Sequence, residues 1–205
     1  MRRQFLSTLA GAAALAVALT TIPAAAQTMP AAGDVAPTFT LPSQDGSQIA
    51  LDSFNGKWVV LYFYPKDMTP GCTIEAHNFQ RDLAQYEAKN AVILGVSLDT
   101  PDSHQQFCTK EGLTFRLLSD PAHKVVDAYG SLGSFGAMQI ANRNTFLINP
   151  QGKVAMVWKS VDPSTHSTTV LAAIPQPRAT VTAPAPQTLS VKPPTKQTTT
   201  VAPPQ

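Results

Sequence analysis

Two near-continuous apolar runs, at 58–64 and 91–98, are separated by a segment with a different period. Runs of this kind fit strands covered on both faces. Between them Cys72, Ala76, Phe79, Leu83 and Tyr86 recur at steps of three and four, with Thr73, His77, Gln80, Arg81 and Gln85 on the other side, which predicts an amphipathic helix. Thr69 stands at its N-cap and Pro70 at its first position. Strand, helix and strand in this order predict a right-handed crossover. Downstream, Pro101 and Gly112 bracket a second helix over 101–111. A further strand is expected at 115–118, and Asp120-Pro121 opens a helix that Gly130 ends. Segments 145–149 and 153–161 flank Asn-Pro-Gln-Gly, a turn with Pro second and Gly fourth, and predict a hairpin. Segments 39–41 and 48–51 flank Ser-Gln-Asp-Gly and predict another. A last helix is expected over 164–174 despite the weak helix propensity of its threonines.

The two ends read differently. Arg2 and Arg3, the Ala/Leu/Val run at 9–19 and Ala24-Ala25-Ala26 predict a signal peptide over 1–26, its apolar run too short to span a bilayer. Arg2-Arg3-Gln4-Phe5-Leu6 also resembles a twin-arginine signal, with Met1 where that signal often has Ser or Thr, so the twin-arginine and general secretory routes both stay open. Either places the protein in the periplasm or an equivalent extracytoplasmic compartment, without stable membrane insertion after cleavage. Residues 175–205 hold eight Pro, seven Thr and no acidic or aromatic residue, a composition that predicts a disordered, partly polyproline II tail. The ends carry five Lys/Arg and no acid, leaving ten bases against thirteen acids, a net charge of −3, in the domain at 27–174. The basic balance of the whole chain belongs to its ends, and no clustered cationic face points to nucleic acid.

Within the domain the order ββαβα followed by ββα, with a cysteine opening the helix after a central strand, predicts an α/β, thioredoxin-like fold: a central mixed sheet flanked by helices. Sites in open α/β sheets lie beyond the carboxyl ends of strands, where Cys72 falls. Unpaired N–H groups and the positive end of the helix favour an anion there, and the thiolate is the nucleophile. Gly71 beside the sulfur permits another group to approach closely. Cys108, the only other cysteine, lies in the last turn of the 101–111 helix, where the dipole disfavours a thiolate. The two thiols are unequal, and Cys72 is the expected attacker. They could bridge reversibly only if their Cα atoms come within about 7 Å. The third position after Cys72 is Glu75, so there is no Cys-x-x-Cys dithiol.

The segment FYPKDMTPGCTIEA at 63–76 resembles the Pro-x-x-x-Thr-x-x-Cys loop of peroxiredoxins, specifically the Q type or bacterioferritin-comigratory proteins of the alkyl hydroperoxide reductase/thiol-specific antioxidant family. GVSLDT at 95–100, GLTFRLLSD at 112–120 and RNTFLINPQGKV at 143–154 extend the resemblance over roughly 33–174. It implies a thiol peroxidase reducing hydrogen peroxide and organic hydroperoxides, with Cys72 as the peroxidatic thiolate. It implies that Thr69 places its hydroxyl beside the sulfur, that Pro65 shapes and shields the loop, and that Arg143 supplies donors to the thiolate and the passing charge. Glu75 is read as a first-turn complement to the helix dipole. Many Q-type members carry a resolving cysteine five residues after the first, where this chain has His77. The resemblance leaves Cys108 as the resolving residue, in an intramolecular disulfide that requires the turn at 69–75 to unwind, with a thioredoxin-like or other thiol as reductant and a monomer as the working form. If Cys108 only packs, an external thiol resolves the sulfenic acid.

His77 lies about 140° round the helix from Cys72, poor geometry for a shared metal. His104, His123 and His166 stand among polar residues and are expected to face water, so neither metal nor cofactor is expected. An exported copper carrier on the same fold would have a second cysteine four residues after the first, where Ala76 stands. A thiol-disulfide oxidoreductase is disfavoured by the missing dithiol. A noncatalytic envelope-binding protein acting through its tail is the remaining rival.

Overall fold

Parallel strands β3 (Trp58–Phe63) and β4 (Ala91–Ser97) form the middle of a five-stranded sheet in the computed structural model, which describes residues 28–176. The expected leader at 1–26 lies outside those residues, as does the expected tail at 175–205 except for its first two positions. The apolar runs are buried on both faces: helix α1 (Pro70–Ala88) crosses between them and covers one face, and a second apolar layer covers the other. β5 (Arg116–Ser119) adds parallel to β4. On the other side β8 (Thr145–Ile148) runs antiparallel to β3, and β9 (Val154–Trp158) returns beside it as the expected hairpin. The sheet order β5-β4-β3-β8-β9 is the mixed, thioredoxin-like arrangement read from the element order.

Alternation along β3 divides the core into two layers. Val60 and Tyr62 join α1, α2 (Pro101–Glu111) and α4 (His166–Ala173) on one side, where both cysteines lie. Val59, Leu61 and Phe63 join the hairpin of β1 (Thr40–Pro42) and β2 (Gln48–Ala50) and helix α3 (Lys124–Ala128) on the other. Gly112 ends α2 in the left-handed region at φ 67, as expected of that position.

The expected helix after Asp120 is short, and its cap works at a distance. The Asp120 carboxylate accepts from the N–H groups of Lys124, Val125 and Val126 because His123 takes a left-handed turn at φ 47. The hairpin of β6 (Leu132–Phe135) and β7 (Met138–Ala141) was not legible in the sequence. It is largely exposed, so its side chains lack the apolar alternation that marks a half-buried strand, and only Gly136 at φ 61 signals its turn.

Two histidines depart from expectation. His104 is 0% and His166 is 3% exposed, where water-facing positions were expected. His104, Phe107 and Cys108 share the inward face of α2 at steps of three and four. Burial pushes the His166 imidazole down to about 4, so it stays neutral, and its Nε2 lies 2.8 Å from Thr145 Oγ1.

Candidate active site

Helix α1 starts just beyond the carboxyl end of β3, so the sequence that closes the strand also aims the helix N-terminus at the site. Pro65 opens the connecting loop, half-buried, and Met68 takes a left-handed conformation at φ 59 that reverses the chain ahead of Thr69. Thr69 is the N-cap residue by its extended backbone, φ −83 and ψ 149, yet its side chain caps no helical N–H. Its hydroxyl reaches Cys72 Sγ at 2.8 Å and the Lys66 carbonyl at 3.0 Å. One hydroxyl hydrogen serves one acceptor at a time, and an ionised sulfur is the stronger.

Cys72 is 2% exposed. Arg143, between β7 and β8, donates from Nη2 to Cys72 Sγ at 3.1 Å and from Nη1 to Glu75 Oε2 at 2.7 Å. Its side chain is 19% exposed, which sets aside a reading as a surface arginine. The planar fork spans two acceptors one helical turn apart, a task the point charge of lysine cannot repeat. Gly71 makes room for it: a Cβ there would meet Arg143 Nη2 at 2.8 Å. Gly71→Ala is expected to lower the rate of Cys72 oxidation by roughly tenfold with little change in melting temperature, because the guanidinium must move but the fold need not. Quenched-flow oxidation and thermal unfolding of the two proteins check this.

Glu75 corrects the sequence-based reading. It is 1% exposed, stands in the second turn of α1 and pairs with Arg143, where a first-turn complement to the helix dipole was expected. Burial pushes its carboxyl up to about 7, the Arg143 charge and hydrogen bond pulling the other way without prevailing. Its Oε1 has no partner among the described residues. A folded value above the ordinary 4.5 means that Glu75 favours the fold most below that pH and that this contribution is lost as pH rises toward 7. The loss amounts to about 3 kcal/mol at most. Glu75→Gln is expected to flatten the fall in stability between pH 5 and pH 8, measured as melting temperature against pH for both proteins.

Cys108 lies in the same apolar cluster as Cys72, 6% exposed, and both are free thiols. Burial, with a smaller contribution from the Asp67 charge, pushes the Cys108 thiol up to about 11. The sequence-based inequality of the two thiols rested on the helix dipole; for Cys108 the larger cause is desolvation. His77, five residues after Cys72, instead pairs with Glu111 at the end of α2, Nε2 to Oε2 at 3.0 Å.

A second buried cluster went unseen in the sequence. Asp67 accepts from the Tyr64 hydroxyl at 2.7 Å and the Ser103 hydroxyl at 2.7 Å, and its Oδ2 lies 2.8 Å from His104 Nδ1. The Asp67 N–H donates to Asp99 Oδ2 at 2.9 Å. Burial raises the Asp67 carboxyl, but its hydrogen bonds and the His104 charge outweigh that and hold it below the usual range. The available signal was the inward spacing of His104 with Phe107 and Cys108.

Two donors, the Thr69 hydroxyl and the Arg143 guanidinium, converge on Cys72 Sγ, an arrangement suited to an anion. One thiol held this way on a thioredoxin-like sheet, with no second cysteine in its helix, has the chemistry of a thiol peroxidase. The AhpC/TSA family model matches residues 32–157, and the chain belongs to that family. Peroxiredoxin Bcp of Escherichia coli strain K12 is 40% identical over 144 residues, 68% of this chain and 92% of that protein. Peroxiredoxin Q of Xanthomonas campestris aligns with TM-score 0.64 and 38% identity over 66% of this chain and 89% of that one. A structure of the Xanthomonas campestris bacterioferritin comigratory protein, bearing on its alkyl peroxide reduction activity, aligns with TM-score 0.64 and 36% identity over 66% of this chain and 89% of that one. Serine variants of the Xanthomonas peroxiredoxin Q replace two cysteines spaced in its sequence as Cys72 and Cys108 are here. The chain is a thiol-dependent peroxidase of the Q, or Bcp, type.

Proposed function

We propose that this is an exported two-cysteine peroxidase in which Cys72 reduces hydrogen peroxide and organic hydroperoxides and Cys108 resolves the product. The observation that carries the first half is the bracketing of Cys72 Sγ by Thr69 Oγ1 at 2.8 Å and Arg143 Nη2 at 3.1 Å. The thiolate attacks one peroxide oxygen, the O–O bond breaks, and the other oxygen leaves as water or alcohol after taking a proton. Arg143 follows the negative charge from sulfur to the departing oxygen, Thr69 offers its hydroxyl to either, and Pro65, lacking an N–H, shields the sulfur from water.

Resolution couples Cys108–SH with Cys72–SOH to give the disulfide and one water. The shared apolar cluster and the matching spacing of the Xanthomonas cysteines support Cys108 in this role. Both sulfurs are buried on separate helices, so the turn at 69–75 unwinds to let them meet. A thioredoxin-like protein then reduces the disulfide, the enzyme working as a monomer. The leader at 1–26 carries it to the periplasm or an equivalent compartment, where the cytosolic glutathione pool is absent. The domain at 27–174 performs the chemistry.

Peroxide titration of wild type and Cys108→Ser with mass spectrometry tests the mechanism. An intramolecular disulfide is expected in wild type, and sulfenic acid persisting on Cys72 in Cys108→Ser. Equal turnover of the two proteins with a protein reductant would assign resolution to an external thiol instead.

A further inference from the structure

Cys108 faces a chemical difficulty. A thiol must lose its proton to attack the sulfenic sulfur, and burial holds this one protonated at neutral pH. A buried imidazole lies one helical turn away on the same inward face. His104 is 0% exposed, and residues four apart on a helix bring their side chains side by side, that of Cys108 leaning back toward the turn of His104.

The hydrogen bonds around His104 assign its tautomer. Asp67 Oδ2, 2.8 Å from Nδ1, can only accept. The Tyr64 oxygen, 3.2 Å from Nδ1, has committed its hydrogen to Asp67 Oδ1 and also accepts. A ring with one hydrogen therefore carries it on Nδ1, and its Nε2 presents a lone pair. That nitrogen is buried and has no hydrogen-bond partner among the described residues, Cys108 Sγ included, so the two meet only as the resolving step proceeds. Buried polar atoms are rarely left without a partner.

We propose that His104, oriented by Asp67, is the base that accepts the proton of Cys108 in the resolving step. This rests on the two-cysteine reading above. The Cys108 thiol gives its proton to Nε2, the sulfur attacks the Cys72 sulfenic sulfur, the S–O bond breaks, and the hydroxide leaves as water by taking that proton from His104. Protons and electrons balance without another reactant. Asp67 is a positioning residue: it fixes the tautomer and faces the charge that forms on the ring. The arrangement survives the proposed unwinding, because His104 and Cys108 share α2 and Asp67 lies ahead of the turn that opens, tied to Tyr64, Ser103 and Asp99.

His104→Asn separates a base from a tie. The asparagine amide can donate to Asp67 as Nδ1–H does, but it has no basic nitrogen. Quenched-flow alkylation with mass spectrometry follows sulfenic acid and disulfide separately after one equivalent of peroxide. In His104→Asn the resolving step is expected to slow about tenfold or more relative to the oxidising step, with sulfenic acid accumulating. Dithiothreitol should consume that sulfenic acid as fast as in Cys108→Ser, which a general loosening of the site would not preserve. Asp67→Asn should slow resolution in the same sense, and it carries the test if His104→Asn does not fold. A wild-type resolving rate in folded His104→Asn, or failing that in Asp67→Asn, overturns the proposal while leaving Cys108 as the resolving residue. Absence of any Cys72–Cys108 disulfide in wild type overturns the two-cysteine reading and the base with it.

Discussion

Arg143→Ala is expected to slow oxidation of Cys72 by roughly 10²–10³-fold, the scale of losing one well-placed donor to a developing charge. Cys72→Ser is expected to abolish peroxide reduction, since an alcohol neither ionises near neutral pH nor stores the transferred oxygen. The arginine result is the more informative of the two. Arg143 holds Sγ and Glu75 at once, at 3.1 and 2.7 Å, so its removal takes the donor from the sulfur and leaves a buried carboxyl without its partner. Glu75 is 1% exposed and burial has already raised its carboxyl to about 7, so without the guanidinium it becomes still harder to ionise. Arg143→Lys should fall between the two proteins: it keeps a charge but cannot serve both acceptors in one plane. Rates of Cys72 oxidation across a peroxide series measure all three. An arginine variant as fast as wild type would remove Arg143 from the mechanism.

The largest effect on stability is expected from Asp67→Ala. The change strands a tyrosine hydroxyl and an imidazole N–H that have no access to water, since Tyr64 is 1% and His104 0% exposed. Breaking a buried pair by removing one partner costs about 3–5 kcal/mol. In a domain of this size that lowers the melting temperature by roughly 10 °C. The pH dependence is specific. Asp67 has a folded value below its ordinary 3.8, so its contribution is complete above that pH and fades as pH falls through the lower folded value. Wild type and variant should therefore differ fully at neutral pH and converge in strong acid. A gap that persists unchanged at low pH would show that the loss is one of packing and not of the ionised Asp67 carboxylate.

Much of the site was legible because it is local. Thr69, Gly71 and Cys72 lie within four consecutive residues whose backbone roles follow from residue type, and their placement at a helix start needs only the apolar run before them. Arg143 became legible through the resemblance of its strand, and the structure brings its guanidinium to the sulfur across seventy-one positions of chain. Glu75 was misread because a carboxylate near a helix start has a sufficient local explanation; it stands in the second turn of α1, and its partner Arg143 comes from the distant loop between β7 and β8. His104 was misplaced for the complementary reason. Its immediate neighbours are polar, while its partners Tyr64 and Asp67 belong to a different part of the chain.

The amino-acid pattern by itself determined the order of elements, the thioredoxin-like sheet and the placement of Cys72 at a helix start, because strand burial, helix period and capping act over a few residues. Tertiary structure alone decided which polar and ionisable groups meet in the interior. Arg143 with Glu75 and Asp67 with His104 are pairs that sequence spacing does not bring together, and each persists because a buried polar or charged group is costlier without its partner than with it.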